Sequence, residues 1–346
     1  MKKPSRKSLL VAGGIALVGT AVGVAAARRR RSHSAVQTKD VAPHALLAPP
    51  SLEADEIEVT TADGARLRVL AYGDPDAQPL VFSHGWTCNA LFWTPQINAF
   101  ADRYRVIAYD QRGHGASSVG TRVLRPDVLA DDLAAVLDAT VPAGRRAVLA
   151  GHSMGGMSII AWAERHPEHV HEKAAAVLLA STGMDNLVTD AALVPLPPRF
   201  PRVPVAVARP LLGSTMPFAA SPITTRALRY VALSPSATAA EVEFCEKIVL
   251  ECPRRTRGAW GRALSVLDIH EGLANLTVPT SVIVGTADRL TPPVHARRLA
   301  DGLERAGNLE HLVVLDGVGH MSSVEAIDAF DDEIVHLLDR AGAPVS

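Results

Sequence analysis

Short apolar runs recur along this chain, at residues 80–83, 104–109, 147–150, 175–179, 280–284 and 311–315, with helical or irregular stretches between them. A run of four to six residues is too short for a stable helix but has the length of a strand. The runs are apolar throughout instead of alternating with polar residues, so a strand built from them must be buried on both faces. That is the signature of a parallel sheet covered by helices on either side, with each crossover long enough to hold a helix. Upstream the pattern differs. Residues 57–60 and 67–72 are strand-like and are separated by Ala62-Asp63-Gly64, whose Asp-Gly pair favours the tight turn of a hairpin.

The alternation breaks between about residues 182 and 264. This stretch opens with Pro195, Pro197, Pro198, Pro201, Pro204, Pro210, Pro217 and Pro222, then gives helix-like segments near residues 223–232 and 239–250. We read it as an insertion into one crossover of a single large domain that covers residues 55–346. With 48% hydrophobic and 21% charged residues, that domain has ample material for a core. A formal net charge of -1 leaves no electrostatic footprint for nucleic acid and favours small-molecule ligands. The three cysteines lack the spacing of a zinc site or a disulfide framework and read as structural thiols. Cys245 and Cys252 are seven residues apart on a predicted helix, about 10.5 Å at 1.5 Å per residue, too far to pair.

The amino terminus is a separate matter. Residues 8–27 carry no charge, between Lys2, Lys3, Arg6 and Lys7 on one side and Arg28 to Arg31 on the other. About twenty uncharged residues match a bilayer core, so residues 1–31 are expected to be a transmembrane anchor. A signal peptide ending at Ala25-Ala26-Ala27 is the alternative, and the protein would then be exported. Positive charge on both flanks leaves orientation open. Residues 32–54, with Pro43, Pro49 and Pro50, read as a linker.

Gly151-His152-Ser153-Met154-Gly155 matches the G-x-S-x-G pattern, with a strand ending in it and a helix beginning behind it. Small residues two before and two after the serine let the backbone turn sharply and expose the hydroxyl. The bland alternative is a glycine-rich turn whose serine caps the helix. A serine hydroxyl is a poor nucleophile until a base takes its proton. His320, in Asp316-Gly317-Val318-Gly319-His320-Met321 after the last strand, is the best placed of the thirteen histidines. His152 adjoins the serine, but its side chain should point away. The acid that orients the base should lie at another strand end, where Gly285-Thr286-Ala287-Asp288 follows the run at 280–284. Asp268 and Asp316 compete with Asp288 for that role. Backbone N–H donors for an oxyanion are expected at Met154 and, in His84-Gly85-Trp86 after the run at 80–83, at Trp86.

The order Ser, Asp, His with these loops resembles the α/β-hydrolase superfamily from about residue 57 to the carboxyl terminus. Asp110-Gln111-Arg112-Gly113-His114-Gly115-Ala116-Ser117 is similar to the family's Asp-x-Arg-Gly-x-Gly-x-Ser loop. His84-Gly85-Trp86 resembles the short oxyanion loop of esterases and cofactor-free haloperoxidase relatives. The resemblance implies a mostly parallel sheet with helices on both faces and a helical cap at 182–264. It also implies a serine esterase of the lipase-like branch acting through an acyl-enzyme, without cofactor or metal. The expected partners are a small acyl ester, lipid-like in view of the apolar cap and the anchor, and the membrane. Thioester hydrolysis, peptide cleavage and perhydrolysis use the same residues and stay open, as does a non-catalytic binding protein on this fold.

Overall fold

The computed structural model describes residues 45–191, 213–216 and 221–342. Eight strands form one sheet in the order β1-β2-β4-β3-β5-β6-β7-β8: β1 Asp55–Thr60, β2 Arg66–Tyr72, β3 Pro79–Ser83, β4 Arg105–Tyr109, β5 Ala147–His152, β6 Ala174–Ala180, β7 Thr280–Gly285 and β8 Leu309–Leu315. The hairpin expected upstream is β1 and β2, turned at Gly64 with φ +80° and closed by Thr61 N donating to Ala65 O at 2.8 Å. β2 runs antiparallel to β4, and every pair from β4 onward is parallel. The fold is an α/β-hydrolase fold. Chain direction across the sheet reverses at β3, which lies between β4 and β5. In open α/β sheets the crevice beyond the strand ends at such a reversal is where ligands bind.

From β3 to β7 both faces of the sheet are buried, which is why those strand sequences do not alternate. The edge strand β8 instead leaves Leu312 and Val314 exposed, contrary to the expectation for the run at 311–315. Val81, Leu149, Val282 and Val284 face one core cluster. Its helical wall comes from α2 (Pro126–Thr140), α3 (Met154–Arg165) and α8 (Pro293–Ala306) through residues such as Leu133, Ile160 and Leu299. Leu80, Phe82, Val148 and Ile283 face the opposite cluster, covered by Ile97 and Phe100 of α1 (Thr94–Phe100) and Ile334 and Leu337 of α9 (Ile327–Gly342). The helices carry ordinary local signals. Pro126 stands in the first turn of α2 with Asp127 beside it, where proline loses no hydrogen bond and the acid meets the helix dipole. α4 is the short helix Pro167–Lys173 before β6.

The crossover from β6 to β7 is long and holds α5 (Pro222–Ala232), α6 (Ala239–Glu251) and α7 (Arg254–Leu264). The sequence anticipates α5 and α6. α6 opens with a capping box in which Thr238 and Glu241 bond each other's backbone amides. These helices share the core instead of resting loosely upon it: Val242, Cys245 and Ile248 of α6 join the α1/α9 cluster, and Trp260 of α7 joins the other. All three cysteines are buried and free, Cys245 within α6 and Cys252 at its end. Most of the prolines singled out in the insertion lie outside the described residues.

The expectations of a transmembrane helix, of the membrane as partner and of a membrane-anchored or exported protein are corrected. Among the described residues no helix is long and apolar enough to cross a membrane. The longest, α9, has 16 residues, about 24 Å against a hydrocarbon core of about 30 Å. The segment that prompted the expectation, residues 8–27, lies outside the described residues, as does all of 1–44.

Candidate active site

Ser153 stands between the end of β5 and the first residue of α3, with φ 52° and ψ -116°. A side-chain-bearing residue at positive φ is strained by about 1–3 kcal/mol, and the surroundings hold it there. Ser153 N donates to Ala180 O at 2.9 Å, while Ser153 O accepts from Met157 N at 3.1 Å and from the Thr182 hydroxyl at 2.6 Å. The flanking glycines are needed for close packing. A Cβ on Gly151 would lie 2.6 Å from the Gly155 backbone, and one on Gly155 would lie 1.9 Å from Ser83 O. The turn presses directly against the end of β3, and Ser153 stays half-buried at its apex.

Asp288 and His320 meet across two strand-end loops. His320 Nδ1 donates to Asp288 Oδ2 at 2.9 Å, and both side chains are buried. A carboxylate at Nδ1 fixes the proton there and leaves the Nε2 lone pair unused by any described residue. Asp288 is itself fixed, with Oδ1 accepting from the amides of Leu290 and Thr291 and Oδ2 accepting from the Thr291 hydroxyl, each at 2.9 Å. The competing acids are elsewhere: Asp268 is exposed and pairs with His270 at 2.6 Å, while Asp316 is exposed and accepts from Thr286. Among the described residues no hydrogen bond joins Ser153 to His320. The two loops are linked through His152, whose Nε2 donates to His320 O at 2.9 Å and whose ring lies 4.8 Å from the His320 ring.

The loop after β3 comes up beside the serine, where a Cβ on Gly85 would sit 3.2 Å from Ser153 Cβ. Neither Trp86 N–H nor Met154 N–H has an acceptor among the described residues. The Asp110–Ser117 motif holds this loop. Gln111 N donates to His84 Nε2 at 2.9 Å, so the His84 proton sits on Nδ1 and is donated to Gly85 O at 2.8 Å. Thr87 N, at φ 67°, donates to His114 Nε2 at 3.3 Å. Burial pushes His84 down to about 4 and His114 down to about 3, so both rings act as neutral acceptors. Arg112, fully buried, is bracketed by Asp132 at 2.6 Å and Asp63 at 2.7 Å. The Trp86 indole donates to Arg257 O of α7 at 3.0 Å, tying the loop to the long crossover.

A sequence model of the alpha/beta hydrolase family matches residues 80–333, which include Ser153, Asp288, His320 and the loop after β3. The chain belongs to the alpha/beta hydrolase family. Similar relatives include 3-oxoadipate enol-lactonase 2 of Acinetobacter baylyi, 27% identical over 296 residues, 82% of this chain and 97% of that protein. A protein of Variovorax paradoxus, provisionally named as the carbamate hydrolase RutD, is 31% identical over 281 residues, 79% of this chain and 96% of its own. Among solved structures, a thermophilic esterase from Thermogutta terrifontis superimposes with a TM-score of 0.67, covering 84% of this chain and 100% of its own at 21% identity, a likeness of fold. This alpha/beta hydrolase is therefore a hydrolase by family.

Several contacts of this hydrolase were not read from its sequence. Thr291 on Asp288 has a local signal, since an Asp followed three residues later by Thr can form such a turn. His152, adjoining the serine, reaches His320 O. Glu325, five residues beyond His320, accepts from backbone amides around the histidine. Among the described residues, Glu310, His311 and His336 are grouped closely enough to hold a cation. They sit on α9 and at the start of β8, the opposite end of that strand from His320, and Arg340 already pairs with Glu310 at 3.1 Å.

Proposed function

We propose that this alpha/beta hydrolase cleaves carboxylic esters of small molecules through an acyl-enzyme, with Ser153 as nucleophile, His320 as base and Asp288 as the acid that orients the base. The observation that carries the reading is the Asp288–His320 bond of 2.9 Å, one loop from a serine at positive φ on a strand-to-helix turn. In this reading Ser153 Oγ attacks the acyl carbon while its proton passes to His320 Nε2. The oxygen of the tetrahedral intermediate takes hydrogen bonds from Trp86 N–H and Met154 N–H, amides with no other described acceptor. Collapse breaks the bond to the alcohol, which leaves with the proton from Nε2. Water then repeats the sequence on the acyl-serine and regenerates the enzyme. Asp288 stays ionised and balances the imidazolium formed in each half. Every group called on belongs to the chain, and the proposed chemistry needs no cofactor.

The relatives are named for an enol-lactonase, which opens a cyclic ester, and a carbamate hydrolase. Both names describe attack on an acyl carbon, which supports the reaction class. The lipid-like substrate expected earlier rested partly on the membrane anchor and loses that support, so short acyl esters are the substrates to assay. A fluorophosphonate probe should label the wild-type protein at Ser153. Ser153→Ala should abolish both labelling and turnover of a p-nitrophenyl ester while the thermal transition stays near wild type. Labelling that persists in this variant would place the nucleophile elsewhere.

A further inference from the structure

The histidine loop is held by its backbone from several sides at once. His320 N donates to Ala232 O at 3.0 Å, Met321 N approaches the same carbonyl at 3.3 Å, and His320 O takes the bond from His152. Ala232 is the last residue of α5, so its carbonyl is one that the helix end leaves without an internal partner. The carbonyl of Tyr230, in the last turn of α5, is taken by Arg289 Nη1 at 2.7 Å, and Arg289 also lies 4.5 Å over the Tyr230 ring. Arg289 follows Asp288 directly. The end of α5 therefore rests on the two loops that carry the acid and the base.

One side chain joins these pieces. Glu325 Oε2 accepts from Ser234 N at 2.6 Å, just past the end of α5, and from Gly319 N at 3.3 Å, while Oε1 accepts from Met321 N at 3.2 Å. Gly319 and Met321 are the residues on either side of His320. Close packing enforces the arrangement, because a Cβ on Gly319 would come 2.5 Å from Ser234 N and 2.6 Å from Glu325 Oε1. Nothing but hydrogen fits on that Cα while the crossover is seated.

We propose that Glu325 is a positioning residue: its carboxylate clasps the amides on both sides of His320 to the end of α5, so that the seating of the long crossover and the register of the base are set together. This rests on the reading of His320 as the base. Glu325 touches no reacting atom and acts only through the backbone it holds. Burial pushes its carboxyl up, whereas the amides of Ser234, Gly319 and Met321 favour the ionised form. A carboxylate can take all three donors, since it offers two acceptor oxygens. A carboxamide keeps one oxygen and turns a donor toward the amide it abandons, and alanine keeps neither.

The test uses full-length protein and Glu325→Ala and Glu325→Gln. Rates on p-nitrophenyl acetate are expressed per serine labelled by fluorophosphonate at completion, so unfolded protein is not counted. A base misplaced by about 1 Å can lower turnover about a hundredfold, and Glu325 has no place in the proposed docking of substrate. We expect kcat to fall about a hundredfold in Glu325→Ala and about tenfold in Glu325→Gln, with KM within about twofold of wild type. The low-field proton resonance of the imidazole Nδ1–H bonded to Asp288 should shift or broaden in both. Wild-type kcat per labelled serine with an unmoved resonance, or a loss confined to KM, would overturn the proposal. If Glu325→Ala does not fold, Glu325→Gln decides by the same two readouts. Failure of the wild-type protein to label would defeat the proposed function instead, a result distinct from a labelled wild type with an insensitive Glu325.

Discussion

At the residue scale, the roles proposed for Asp288 and its rivals can be separated by one conservative change. Asp288→Asn keeps the shape and one acceptor oxygen but can offer its NH2 to the imidazole, which then carries its proton on the nitrogen that must accept from the serine. It also removes the charge opposite the imidazolium. For the serine-protease triad this change costs roughly ten-thousand-fold in turnover, and a fall of at least about a thousandfold is expected here. Asp268→Asn and Asp316→Asn, both exposed and bonded elsewhere, should remain within about twofold. Ester turnover of the three purified variants checks this, and collapse in either control with a near-normal Asp288→Asn would reassign the acid. Ser153, Asp288 and His320 were legible in sequence because each follows an apolar run at a strand end. His152 and Glu325 were not, because each acts on main-chain atoms that the fold alone brings alongside, which leave no residue-type signal, whereas Thr291 stands only three residues beyond Asp288 and carries a local one.

At the scale of elements, the strands were legible because burial on both faces writes itself as unbroken apolar runs. α7 was not. Its sequence, Arg254-Arg255-Thr256-Arg257-Gly258-Ala259-Trp260-Gly261-Arg262, has two glycines, which lower helical preference, and few apolar residues to mark a buried face. Tertiary packing overrides it: Trp260 is fully buried, its indole donates to Arg112 O at 2.9 Å, and Gly258 packs against residues 213–215. The turn from β5 into α3 shows the opposite case, a motif whose geometry could be read in advance. Gly155→Ala should test it, since the added methyl would fall 1.9 Å from Ser83 O, a contact that backbone cannot relieve by a rotamer change. We expect a loss of about 3 kcal/mol or more in urea unfolding. Gly342→Ala, where nothing lies within 4 Å of the added carbon, should stay within about 0.5 kcal/mol. Equal stability of the two variants would show that the elbow is not tightly packed on β3.

At the scale of the whole molecule, burial of titratable groups sets opposing dependences of stability on pH. His84 and His114 are held neutral by burial, with values near 4 and 3. Their contribution is complete above the unfolded value of about 6.5 and is lost as pH falls through the folded values. Asp331 acts in the other direction. Burial, aided by neighbouring Asp328 and Asp332, raises its carboxyl to about 7 against the bond from Gln96 Nε2 at 2.9 Å. A carboxyl raised on folding stabilises fully below its unfolded value of about 3.9, and that stability disappears as pH rises through 7. Above pH 7 the folded protein therefore holds a sheltered charge with no cation hydrogen-bonded to it among the described residues. Asp331→Asn retains an oxygen for Gln96 and removes the charge. The variant should match wild type at pH 4 and exceed it by about 1–2 kcal/mol at pH 8, after allowance for partial solvent screening. Urea unfolding at both pH values measures the difference directly. Asp331→Asn no more stable than wild type at pH 8, or equally stabilised at pH 4, would mean that the carboxyl ionises in the folded protein as freely as in the unfolded chain.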